Sequence, residues 1–290
     1  MSEEAQGGQP HELTVNNHRF YCRVAGAADG TPLVLVTGVG QPLAHWPRPF
    51  LADLERTFPL VRYDGREIGF TADLNDPAAE GGAARAPGVT PVREHAADLL
   101  GIIEALGYRR VYLLGWGLGA AIALEAARAA QHRVRALVLM GGLAEPGRYP
   151  PVEAVRTALG DFSGSPEEIR ERRAALMFPP AWWAAHREDF FAMLGDAVPR
   201  HRCQPAAITV QQAALEAWPG LRGELPGINA PALVIAGMED ALVPPRNATF
   251  LADNLHDGRL VLIDNAGHGL MYQYPHRLAG RVTGFLTEEL

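Results

Sequence analysis

With 290 residues, 48% of them hydrophobic, the chain can bury a full core, and its length suits one large α/β domain or one domain carrying an insertion. A formal net charge of -7 argues against a surface for nucleic acid or anionic membranes, which are bound through clustered cations. The chain has no lysine, so all 26 cationic side chains are arginine, and Schiff-base chemistry or covalent pyridoxal attachment is excluded.

The opening stretch MSEEAQGGQP lacks the basic and apolar regions of a secretory leader, and no run in the chain reaches the roughly 18 to 20 apolar residues that span a bilayer. A cytoplasmic protein is the expectation. Cys22 and Cys203 are too few and too isolated for a metal cluster or a disulfide framework. Both read as small buried hydrophobes.

Two short alternating runs, ELTV and RFYCRV, flank Asn16-Asn17 and predict a hairpin, because asparagine tolerates φ > 0 in tight turns. Strands and helices then alternate. PLVLVTG and PLVRYDG bracket a helix at RPFLADLERTF; TPVREHAADLLGIIEALG is a helix opened by Thr90-Pro91 and closed by Gly107. RRVYLLG, a following helix and VRALVLMGG continue the pattern, and such continuous apolar strands imply a parallel sheet buried on both faces. From Leu143 to Asn229 the rhythm breaks into helical pieces. The expected domains are therefore a core of residues 1–142 and 230–290 with a helical cap of 143–229 inserted. APALVIAG, a helix at RNATFLADNL, the strand GRLVLID and a helix from Pro275 resume the alternation, and NDPAAEGGAARAPG reads as a loop.

Between the strand RRVYLLG and its helix lies Gly115-Trp116-Gly117-Leu118-Gly119. This is the G-x-S-x-G pattern of a nucleophile elbow with glycine in place of the serine. The order of parts resembles the α/β-hydrolase superfamily over nearly the whole chain, which implies an α/β-hydrolase fold with a mostly parallel sheet and a cap over the site. In that family a carboxylate follows a later strand and a histidine stands near the end. LVIAGMEDALVPP matches the first at Asp240, and IDNAGHGLMYQYP the second at His268. A carboxylate accepting the Nδ1 proton of an imidazole fixes its tautomer and raises its basicity. The other nine histidines read as hydrogen-bonded surface or core residues.

By the same resemblance, LVTGVGQPLAHW supplies an oxyanion-hole loop, with the backbone amide of Val39 or Gly40 as one donor and that of Leu118 as the other. Thr37-Gly38 stands where relatives often carry His-Gly. Asp64, Arg66 and Thr71 of RYDGREIGFT read as structural. The cap contributes Met177, Phe178, Trp182, Trp183, Phe190, Phe191 and Met193, which either pack the core or wall a large apolar ligand. Trp116 and Trp46 are expected as flat walls of the same pocket.

Three accounts of Gly117 remain open: a working enzyme without covalent catalysis, an inactive binding scaffold, and an esterase whose serine was replaced. Gly115-x-Gly117-x-x-Ala120 also fits a dinucleotide fingerprint, but the next strand ends without the acidic residue that holds a ribose. No cofactor and no metal are expected. Without a serine or cysteine at the elbow an acyl-enzyme cannot form there, and the remaining base and anion hole suit proton abstraction. TGVGQPLAHWPRPFLADLERTFPLVRYDGREIGFT further resembles the aclacinomycin-methylesterase-like branch of aromatic polyketide tailoring. The expectation is a cofactor-free, non-hydrolytic enzyme of natural-product biosynthesis acting on a polycyclic aromatic substrate by cyclisation, C–C bond formation or cleavage, or reaction with O₂. A base-activated water is a further route. The small aromatic substrate is the expected partner, and a homodimer stays open.

Overall fold

The computed structural model describes residues 8–75, 88–194 and 205–288. Cys203 and all but the ends of the predicted loop tract lie outside them. Eight strands form one sheet: β1 (Gln9–Val15), β2 (His18–Gly26), β3 (Leu33–Val36), β4 (Pro59–Tyr63), β5 (Val111–Trp116), β6 (Val134–Met140), β7 (Ala232–Gly237) and β8 (Gly258–Ile263), in the order β1-β2-β4-β3-β5-β6-β7-β8. Pairing is antiparallel from β1 to β2 and β2 to β4 and parallel from β4 to the far edge. The β1–β2 turn is the predicted hairpin, with Asn16 and Asn17 at φ 49° and 62°, as a two-residue turn of this hand requires.

Every residue of β3, β4, β5 and β7 is buried, which is why these strands read as unbroken apolar runs. Their side chains alternate between two cores. Val34, Val36 and Leu113 face one layer, built with α3 (Val92–Ala105), α4 (Leu118–Ala129) and α9 (Arg246–Asn254). Leu33, Leu35, Tyr112 and Leu114 face the other, built with α1 (Arg48–Glu55) and α11 (Pro275–Glu288). The short α2 (Gly69–Leu74) lies against β2. The Ala-rich α4 is buried from Leu118 to Ala127; alanine combines the best helix propensity with a side chain small enough for this crowded position.

Between β6 and β7 the chain forms α5 (Glu153–Gly160), α6 (Pro166–Ala175), α7 (Pro180–Leu194) and α8 (Pro205–Glu216), with no strand among the described residues. Ser165 starts α6 with a reciprocal capping box to Glu168. One turn of helix, α10 (Leu270–Gln273), precedes α11. Among the described residues no helix is long and apolar enough to cross a membrane. The topology gathers the turns after β3, β5, β6, β7 and β8 at the carboxyl ends of the parallel strands, where ligands of open α/β sheets bind.

Candidate active site

The turn from β5 into α4 holds Gly117 at φ 57°, ψ -116°, a conformation that strains any residue with a Cβ. An ideal Cβ built there would meet His268 Nε2 at 3.2 Å, and its next neighbours at 3.6 and 3.7 Å are ordinary contacts. The elbow is thus formed in full, and its missing side chain would have pointed at the histidine.

His268 follows β8 and turns its other nitrogen away from the elbow: Nδ1 lies 2.8 Å from Asp240 Oδ2. The second oxygen, Oδ1, accepts from the amides of Leu242 at 2.9 Å and Val243 at 2.8 Å, so the carboxylate cannot rotate away. Asp240 and His268 are only 3% and 7% exposed, which strengthens the bond by excluding water. Gly141, at φ 53°, packs under the ring; a Cβ there would come within 2.8 Å of His268 Cε1 and Nδ1. The Gly269 amide donates to the Met177 carbonyl at 2.9 Å, tying the histidine loop to the segment between β6 and β7.

Trp116 donates its indole N–H to the His268 carbonyl at 3.0 Å, and the two rings stand 5.4 Å apart. Trp116 is 2% exposed and Trp46 is 3% exposed. Both indoles belong to the hydrophobic cluster on that face of the sheet, with Trp46 6.1 Å from Trp116. Phe178 centres a cluster with Trp182 at 4.4 Å, Trp183 at 5.8 Å and Phe190 at 5.1 Å. Met177, Phe178 and Phe190 are buried, Trp182, Trp183 and Phe191 half-buried, and Met193 is exposed.

After β3, the Gly40 amide is taken by Gln211 Oε1 of α8 at 2.8 Å, so of the two expected loop donors Val39 is the one not engaged by that side chain. Leu118 is the first residue of α4, and a helix leaves its first amides without intrahelical partners. The loop is anchored further on, where Asp64 accepts from the Leu43 amide at 2.7 Å and the Phe70 amide at 2.9 Å. Burial pushes the Asp64 carboxyl up to about 7. Arg66 clasps Asp98 with two bonds of 2.6 and 2.9 Å, and Thr71 Oγ1 bridges the Asp64 carbonyl and the Tyr21 amide. All three tie the loops around the sheet's carboxyl ends to their neighbours.

Sequence reasoning missed Gly141, Gln211 and Trp116's bond to the histidine loop. The Gly pair ending VLMGG was a signal for the first. The Gln211–Gly40 bond spans 171 residues and had none. Among the described residues, no group of three or more His, Cys, Asp and Glu side chains is placed to hold a metal ion.

An elbow and a buried His–Asp pair at the carboxyl ends of one sheet define an enzyme of the α/β-hydrolase type. The α/β hydrolase fold family model matches residues 31–275, and the chain belongs to that family. A relative from Variovorax paradoxus, named carbamate hydrolase RutD, is 32% identical over 86% of this chain and 89% of its own. A 2-hydroxy-6-oxo-2,4-heptadienoate hydrolase from Pseudomonas putida is 26% identical over 90% of each chain. The crystal structure of a hydrolase from Pseudomonas aeruginosa superposes with a TM-score of 0.76 at 27% identity, covering 96% of this chain and 98% of that one.

These findings overturn the expectation of a non-hydrolytic cyclase or oxygenase of polyketide tailoring. Relatives matched along nearly their whole length are named hydrolases, and the closer kinship to aclacinomycin-methylesterase-like enzymes finds no support in them. The error came from taking a missing serine to mean missing hydrolysis. The dinucleotide alternative falls with the family assignment, since Gly115 and Gly117 belong to the elbow.

Proposed function

We propose that the protein is a hydrolase of small activated carbonyl compounds in which His268 activates water directly, without an acyl-enzyme. One observation carries the reading: the side-chain position left open at Gly117 lies 3.2 Å from His268 Nε2. A water hydrogen-bonded to Nε2 in the space that a serine side chain would fill takes the part of the serine hydroxyl. Nε2 takes its proton as general base, and the hydroxide adds to the carbonyl carbon. The Val39 and Leu118 amides hold the oxyanion that develops. On collapse, His268 returns the proton to the leaving group, while Asp240 stabilises the imidazolium in between. Glycine serves this chemistry by relieving backbone strain of roughly 1 to 3 kcal/mol and by making room for water.

Because water is a weaker nucleophile than an activated serine, the carbonyl must carry a good leaving group, as in an ester, lactone or carbamate. The Variovorax relative's name makes carbamates the first class to assay. With p-nitrophenyl acetate, the wild type is expected to turn over with no pre-steady-state burst and no acetyl adduct in quenched intact-mass spectra. Gly117→Ser should gain both. An acyl adduct on the wild type, or a hydrolysis rate equal to that of His268→Ala, would sink the proposal.

A further inference from the structure

Behind the loop after β3 lies a cavity of about 20 Å³ lined in part by Thr37, Gly38, Leu118, His95, Asp98 and Gln211. That is room for one water-sized group. It adjoins the proposed reaction centre: Gly38 Cα is 3.7 Å from where a Cβ on Gly117 would stand, and Leu118 follows Gly117 in the chain.

His95, on α3, is only 5% exposed, and its Nε2 is buried without a hydrogen-bond partner at the wall of this cavity. Buried polar atoms are nearly always paired. No group of the chain lies within hydrogen-bonding reach of it; the polar neighbours are turned to other partners, Asp98 to Arg66 and to Asn16 Nδ2 at 2.9 Å and Gln211 Oε1 to the Gly40 amide. Burial also holds the imidazole down to about 4, so at neutral pH it is uncharged and offers one donor and one acceptor nitrogen.

We propose that this cavity is a subsite for one small hydrogen-bonding substituent on the carbonyl under attack, an amino group, with His95 Nε2 as its partner. The inference rests on the hydrolase reading and narrows it. A carbamate would seat such a group past Gly38, a longer alkyl chain would not fit, and a methyl group would leave Nε2 unpaired. Sites that hydrogen-bond a substrate group reject the analogue lacking it more strongly than apolar pockets reject a methylene.

The test uses phenyl carbamate, phenyl acetate and phenyl butyrate, each rate corrected for intrinsic reactivity, on wild type, His95→Phe and His95→Gln. The expected result is at least a tenfold preference in kcat/KM for the carbamate over the butyrate. His95→Phe should abolish that preference, through KM, and His95→Gln, which keeps a hydrogen-bonding head, should restore part of it. A second readout needs no turnover: millimolar urea should shift the His95 Nε2 resonance in ¹⁵N-histidine spectra, and tetramethylurea should not. A resonance that urea leaves in place overturns the subsite whatever the kinetics. Failure to hydrolyse any of the three esters while urea shifts Nε2 would instead remove the hydrolase reading and leave a binding site.

Discussion

His268 and His276 lie eight residues apart in the chain's last fifth, and each points Nδ1 at an aspartate Oδ2, Asp240 at 2.8 Å and Asp53 at 2.6 Å. By distance alone the second pair is the better one. Yet the side chains of His268 and Asp240 are 9% and 0% exposed, against 74% and 21% for His276 and Asp53. Water and salt screen the second pair, and Asp53 also serves Arg56 at 3.0 Å. Asp240 has two backbone amides fixing its free oxygen, and His268 has an elbow at its other nitrogen. A His–Asp contact becomes a working base through what surrounds it, not through its length.

The largest effect expected from that difference follows removal of the buried imidazole. His268→Ala should lower kcat for ester hydrolysis by about 10²- to 10⁴-fold, the usual contribution of a positioned general base, with the thermal midpoint little changed. A smaller loss would mean that another group activates the water. Asp240→Asn keeps the shape but offers the wrong partner to Nδ1–H, and should cost about 10²-fold or more. Retention of full activity by Asp240→Asn would place the buried pair on the same footing as the exposed one.

The parts of this contrast were unequally legible in the sequence. The sheet and the turns at its carboxyl ends could be read because parallel strands buried on both faces are continuous apolar runs, and Asp240 and His268 because each follows a legible strand at the family's spacing. Gly117 was visible as an anomaly, but not its meaning, since residue identity does not tell whether the emptied position faces a base or a wall. His95 was passed over with the other histidines. Its isolation depends on Arg66 and Asn16 occupying Asp98, contacts made across the fold that no local pattern encodes. The bond from Trp116 to the histidine loop was hidden for the same reason: an aromatic beside a site looks alike in sequence whatever its N–H reaches.

His95 is a third case, buried like His268 but lacking a carboxylate, and it sharpens the comparison through pH. Its folded value near 4 lies below the ordinary 6.5, so between these values the unfolded chain binds a proton that the folded chain does not. This contribution makes stability rise with pH across about 4 to 6.5 and is complete above that window. Asp64 acts in the opposite sense. Raised to about 7 from 3.8, it keeps a proton in the folded state that the unfolded chain has lost, so its contribution falls as pH climbs through that interval. His95→Gln removes only the first term. Urea unfolding should therefore show its stability relative to wild type improving by about 2 kcal/mol on going from pH 7 to pH 4.5. An unchanged difference would show that His95 titrates as an exposed histidine does.

The smallest effect belongs to the exposed pair, which joins α1 to α11 on the layer of the sheet away from α4. The helices it links are already held by Phe50, Leu51 and Leu54 against Leu278, Val282 and Phe285, so the ion pair is an addition to a packed interface. His276→Ala should change stability by no more than about 0.5 kcal/mol and leave kcat/KM within roughly twofold of wild type, since exposed pairs contribute about 0 to 1 kcal/mol. Raising the salt concentration should erase even that stability difference, whereas the activity supported by His268 and Asp240, shielded from solvent, should respond far less. A His276→Ala variant with sharply reduced turnover would break the comparison outright. It would mean that the α1–α11 contact holds the histidine loop in place through Tyr272 of α10, whose hydroxyl donates to the His45 carbonyl ahead of α1, and that the short exposed bond governs the buried one.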